Sequence, residues 1–163
     1  MTIDTQTLSA LAHSDCVPQA AISILGTTCQ VQAQEDPAVD EAVLKDAAML
    51  VVISLVGDVS WAVFLGVPCN TAVQLAAKFA GFEIPFDSPD MGDAIGELGN
   101  IFAGDVKAKL DAKGVRVEIS LPSVTRGEAL HMLFPTESPV SQHTFTTSAG
   151  KLLAGVSAKR ATH

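Results

Sequence analysis

Glu97 and Asn100 stand three residues apart in the stretch DMGDAIGELGNIFAGDVKAKL, residues 90–110, and Asp93 precedes Glu97 by four. An ionised carboxylate accepts hydrogen bonds and can pair with a cation. A carboxamide offers a donor and an acceptor together and does not titrate. On a helix of about 100° per residue, Asp93, Glu97, Asn100 and Gly104 fall within about 60° of one another. Ile95, Leu98, Phe102, Val106 and Leu110 take the opposite face, so the polar ridge points away from the core. An acid and an amide so placed also fit an ordinary solvated helix face. Spacing alone leaves both readings open.

The same helix carries glycines at 92, 96, 99 and 104. Each costs up to about 1 kcal/mol relative to alanine inside a helix. Close approach of another backbone is the physical reason to accept that cost. The backbone is either the protein's own sheet or a docking partner. A place where local propensity loses is a candidate functional site. Asp93 reads equally as a first-turn charge facing the helix dipole or as a support to the pair.

Other reactive side chains are less suggestively placed. Cys16, Cys29 and Cys69 are odd in number and match no zinc spacing. No base is set beside them, so they read as small apolar residues. His13, His131, His143 and His163 show no ligand spacing. His131 and His143 fall in predicted strands and read as structural, and His163 is terminal. No nucleophile-elbow pattern supports Ser-His-Asp chemistry. Trp61, in a predicted strand, reads as core or edge packing.

The chain has 163 residues, 48% hydrophobic and 17% charged, which fits one globular domain over 1–163 with residues 1–14 as an N-terminal extension. A net charge of −8 repels phosphate backbones and argues against nucleic-acid binding. The longest apolar run, Ala47 to Val56, is about half of what a membrane helix needs. No leader peptide is recognised. The expectation is a cytoplasmic protein with reduced thiols and no membrane partner.

Residues 1–14 are mostly polar, with Leu8 and Leu11 apolar, and fit either a short helix or an ordered tail. Asp15 can cap a helix with Pro18 in its first turn. Ala21, Ile24, Leu25 and Cys29 keep helical spacing up to a short strand near Gln30–Ala33. Residues 34–46 read as a loop. AAMLVVISLV and VSWAVFLGV flank Gly57-Asp58, a hairpin signal. CNTAVQLAAKFAG reads as a helix capped by Asn70 and stopped by Gly81. FEIPFDSP is extended, and a long helix runs from about Asp90 to Lys113, ending at Gly114. VRVEISL alternates as a half-buried strand, PSVTRG reads as a loop, and EALHMLF, SQHTFTTS and KLLAGVSA read as strands, the last two a hairpin at Ala149–Gly150. This order predicts an α+β fold of two layers, an antiparallel sheet with helices packed on one face.

At this point the sequence resembles the CheC/CheX/FliY phosphatases of bacterial chemotaxis. Asp93, three residues, Glu97, two residues, Asn100 is similar to the family signature, which continues about 22 residues to a proline. Pro122 is the candidate, with 21 residues between. DAIGELGNIFAG also looks like the family's helix and SLPSV like its later strand end. The resemblance covers about residues 15–157. The family is built from two related halves, and CheC carries the signature twice. Aligning Asp15 with Asp93 puts Gln19 at the place of Glu97 and Ile22 at that of Asn100. One intact copy is the CheX arrangement.

The resemblance implies the two-layer CheC-like fold and hydrolysis of the aspartyl phosphate of a phosphorylated CheY-like receiver domain. Asn100 would hold a water in line with the phosphorus, and Glu97 would pair with a receiver lysine. Asp93 would support them. Mg²⁺ would be supplied by the receiver, the chain having no cofactor of its own. The resemblance also implies a homodimer formed by pairing edge strands. The rival reading is a non-catalytic receiver-binding or signalling adaptor of the same fold. A regulatory partner of a receptor deamidase is more typical of CheC.

Overall fold

The computed structural model describes residues 3–160, and His163 lies outside the described residues. At the centre is the predicted hairpin, β2 (Ala48–Gly57) and β3 (Val59–Pro68), in register from Ala48 opposite Pro68 to Val56 opposite Ser60. β7 (Gly150–Arg160) flanks β3, and β6 (Val140–Thr147) flanks β7 across the turn at Ala149–Gly150, where Gly150 takes a φ of 123° that favours glycine. β1 (Ala33–Glu35) closes that end. At the other end, β4 (Val117–Ile119) and β5 (Ser123–Gly127) share the outer side of β2. The order is β1-β6-β7-β3-β2-β4, with β5 also on β2, and every pairing is antiparallel.

Side chains alternate across a strand, and β3 shows what this decides. Val59, Trp61, Val63, Leu65 and Val67 face the main core, while Phe64 joins a smaller cluster on the other side. The main core receives four helices: α1 (Thr5–Ala12), α2 (Cys16–Thr28), α3 (Cys69–Ala80) and α4 (Pro89–Ala112). Leu8, Ile24, Leu25, Leu75, Ile95 and Phe102 are their buried contributions. The opposite face is partly covered by residues 36–46 and 128–139. There Leu44, Phe64 and Leu153 pack with Leu130, Met132 and Phe134, and the Phe64 and Phe134 rings lie 5.7 Å apart. The α+β architecture with helices on one face is as expected. Among the described residues, no helix is long and apolar enough to cross a membrane.

Several local expectations are corrected. PSVTRG is not a loop: Ser123–Gly127 forms β5, paired from Ala48 opposite Gly127 to Val52 opposite Ser123. EALHMLF is not a strand. Its spaced apolar residues mark burial against the sheet face, and His131 therefore lies in irregular chain. β2 had no edge left for it. Asn70 is not the cap of α3: Pro68 holds that position, with no side-chain cap bond. Asp15 does hold the cap position of α2, though without a side-chain cap bond. The strand expected near Gln30 begins at Ala33, because Gln30 turns at a φ of 55° and Val31 N–H donates back to Leu25 O at 3.0 Å. Residues 5–12 settle as α1, capped by Asp4, which accepts from Thr7 N–H at 2.8 Å.

Candidate functional site

α4 carries the predicted pair. It opens on Ser88 and Pro89, a residue whose fixed φ suits the first helical position. It stops at Lys113 and at Gly114, whose φ is 78°. Met91, Ile95, Leu98, Phe102, Val106 and Leu110 form its buried stripe. Arg126 of β5 donates to Phe86 O at 3.0 Å and Ser88 O at 3.1 Å, tying the segment before α4 to the sheet edge.

Two of the four glycines are explained by this seating. A Cβ on Gly99 would stand 2.7 Å from Val51 Cγ2 and 3.0 Å from Ile53 Cδ1. One on Gly96 would stand 3.3 Å from Val124 Cγ2 and 3.7 Å from Pro122 Cγ. α4 thus lies closer to β2 and β5 than side chains there would permit. At Gly92 and Gly104 a Cβ would meet nothing within 4 Å.

Opposite the buried stripe, Asp93 and Glu97 are exposed and Asn100 is half-buried. Among the described residues, none of the three has a side-chain hydrogen bond or ion pair. The cations nearest in the helix are already engaged. Lys109 pairs with Asp105 at 2.9 Å. Lys107 donates to Val117 O and lies 3.6 Å from Asp111. A cleft of 710 Å³ beside Ile22 and Gln32, and one of 490 Å³ beside Leu50 and Leu133, are lined by other residues.

α2 lies beside α4 on the same face of the sheet. Gln19 and Ile22 are exposed, as Glu97 is, and Ile22 is 39% accessible. Both helices present these positions outward, but only α4 carries an acid and an amide together there.

A second cluster was not anticipated. His143 lies 2.5 Å through Nδ1 from Glu35 Oε1, and its Nε2 lies 2.8 Å from Ser141 Oγ. An ionised carboxylate only accepts, so the ring donates to Glu35 through Nδ1. The connectivity is that of a Ser-His-acid relay, but Ser141 is buried at 7% accessibility within β6. The chain of contacts fastens the three-residue strand β1 to β6. Residues 108 apart in sequence gave no local signal for it. Lys151 similarly joins Asp36 at 3.2 Å and Asp40 at 3.6 Å, and Thr146 donates to Asp36 at 2.7 Å. The Thr146 hydrogen bond and Lys151 hold the Asp36 carboxyl below its ordinary pKa.

The family model described as "Chemotaxis phosphatase CheX" matches residues 49–146. This span includes the hairpin, α4 and Pro122. No curated protein matches the sequence. Among solved structures, the chain is similar to the chemotaxis protein CheX from Vibrio vulnificus, at 15% identity and a TM-score of 0.76, covering 89% of this chain and 97% of that one. A putative chemotaxis protein from Desulfovibrio vulgaris Hildenborough is 22% identical, with a TM-score of 0.76 over 91% of this chain and 99% of that one. The CheX–CheY–BeF3–Mg²⁺ complex from Borrelia burgdorferi gives 20% identity and a TM-score of 0.72 over 90% and 97%. At these identities the solved structures speak for the fold, and the sequence match, which spans more than half of the chain, speaks for descent: the protein belongs to the CheX family of chemotaxis phosphatases.

Proposed function

We propose that this protein hydrolyses the aspartyl phosphate of a CheY-type receiver, with Asn100 as the water-positioning group and Glu97 as the docking group. One observation carries the reading: both side chains stand free on one exposed ridge of a helix held tightly against its sheet. Enzymes of small substrates gather their polar groups in a concave pocket. Polar side chains on an outward helix face suit the reverse case, in which the partner owns the pocket and this protein supplies what enters it.

In the reaction, water attacks the phosphorus and the bond from phosphorus to the aspartate oxygen breaks. Inorganic phosphate leaves and the receiver keeps its carboxylate. Asn100 holds the water in line through its amide. Little covalent work falls to the protein in phosphoryl transfer, so positioning carries the catalysis. Glu97 pairs with a receiver lysine and fixes the pose, and Asp93 makes a rim contact. Mg²⁺ belongs to the receiver's own carboxylates. The chain works as a homodimer through a sheet edge, either β1 or the β4–β5 side, since both ends of the sheet are open. The solved CheX–CheY complex of the same fold and the family match support the choice of partner.

The deciding measurement is a decay time course of CheY phosphorylated with acetyl phosphate, with and without this protein. Decay faster than that of CheY alone, and lost with Asn100→Ala, is expected. Complex formation without faster decay would establish the adaptor reading instead.

A further inference from the structure

Gly104 has no explanation within its own fold. Side chains at Gly96 and Gly99 would meet the sheet, but a Cβ at Gly104 would meet nothing within 4 Å. Glycine inside a helix lowers stability relative to alanine, because the unfolded chain has more freedom to lose. At Gly104 this loss brings the protein no internal contact. The residue lies in line with the ridge, seven after Glu97 and four after Asn100, so it is the helix-surface neighbour of the amide.

The surface around it is also low. Ala108, one turn on, is exposed and ends at its methyl group. Lys107, the long side chain on that side, is turned back toward β4 by its contacts with Val117 O and Asp111. A shallow trough therefore runs along α4 from Asn100 past Gly104 to Ala108.

We propose that this trough seats a main-chain segment of the docked receiver, Gly104 letting that backbone approach close enough for Asn100 to reach its water. The inference rests on the phosphatase reading above. The segment it fits is a stretch of extended backbone or small residues bordering the receiver's phosphorylation pocket. Gly104 is a positioning residue: it touches the partner and sets how deeply the amide enters. Gly26 is the internal comparison. It stands four residues after Ile22 and also has open space where a Cβ would go, but Ile22 and Gln19 occupy the places that Asn100 and Glu97 hold on α4.

Gly104→Ala, Gly26→Ala and Asn100→Ala are compared with the unaltered protein for melting temperature and for turnover of CheY phosphorylated with acetyl phosphate. Both glycine variants are expected to melt about 2–4 °C higher. Gly26→Ala keeps full turnover. Gly104→Ala loses about 10–100-fold in kcat/KM and binds CheY activated with beryllofluoride and Mg²⁺ more weakly. A glycine that served only the fold would not give greater stability together with lower turnover. Full turnover by Gly104→Ala beside an inactive Asn100→Ala overturns the trough and leaves the phosphatase reading standing. A lowered melting temperature for Gly104→Ala also overturns it, since the glycine would then serve α4 itself. Full turnover by Asn100→Ala removes the reading on which the trough depends.

Discussion

Pro122 lies over Gly96, the residue before Glu97: a Cβ at Gly96 would stand 3.7 Å from the proline's Cγ. The proline falls in the break between β4 and β5, where its missing N–H leaves no ladder bond unmade. Just before it, Ser120 N–H donates to Ser54 O at 2.9 Å and Ser120 Oγ accepts from Ser54 N–H at 2.9 Å. The chain leaves the ladder there and returns to the turn of α4 that carries Glu97. Pro122 thus packs over the turn of α4 that leads into Glu97.

The seating makes Gly99 a test of rigidity. Gly99→Ala gains about 1 kcal/mol of helix propensity but sets a methyl against Val51, a β-branched side chain stiff about χ1. Overpacking of this kind costs about 1–3 kcal/mol. A net loss of about 1 kcal/mol in urea unfolding is expected, with reduced turnover as α4 lifts. A stability gain would mean that α4 is not held as closely as its contacts with β2 imply.

Asn100→Ala should lower kcat for phosphorylated CheY by about 100-fold, the scale on which lost positioning acts. Folding should be unaffected, since the amide has no hydrogen-bond partner among the described residues. Circular dichroism and a rapid-mixing decay assay check the two halves of this statement.

Glu97→Ala should act on docking. Truncating one member of a charge pair desolvated at an interface costs about 2 kcal/mol or more, roughly 30-fold in affinity. KM should rise while kcat changes little, and the effect should shrink at high salt. An unchanged KM would return Glu97 to the status of a solvated helix charge.

Asp36 links the loop after β1 to β6 and β7. Because its folded pKa is depressed, its contribution is complete above the ordinary carboxylate range and is lost as pH falls through the lower folded value. Lys151, raised by Asp36, contributes below its ordinary pKa and loses this as pH rises past it. The melting-temperature difference between the unaltered protein and Asp36→Asn should therefore be greatest at intermediate pH and close toward acid. A difference independent of pH would show that the carboxylate is not the stabilising species.

Cys29 is fully buried, and burial pushes its thiol up to about 11 against a smaller opposing effect of Lys78. The thiolate is the reactive species, so Cys29 should resist aromatic disulfide reagents until the protein unfolds. Cys69, which is half-buried, should react first. Early labelling of Cys29, located by mass spectrometry, would count against this burial.

The legible parts were those written in local pattern. Gly57-Asp58 between two β-branched runs specified the central hairpin, and the 3.6-residue spacing of Ile95, Leu98, Phe102, Val106 and Leu110 separated the buried side of α4 from its ridge. EALHMLF was misleading because apolar spacing reports burial and not backbone pairing. Leu130, Met132 and Phe134 are half-buried against a sheet face, with no strand edge to join. PSVTRG was misleading in the opposite way, since β5 exists only because β2 offers it an edge.

The sequence by itself determined which side chains share a face, because helical and strand periods are properties of a single segment, and so it placed Glu97 and Asn100 together pointing outward. What the tertiary structure alone decided was the distance between segments. Gly96 and Gly99 became seats against the sheet and Gly104 an open notch. Ser141, His143 and Glu35 met across β6 and β1. Such contacts depend on how far the chain returns upon itself, and no local spacing encodes that.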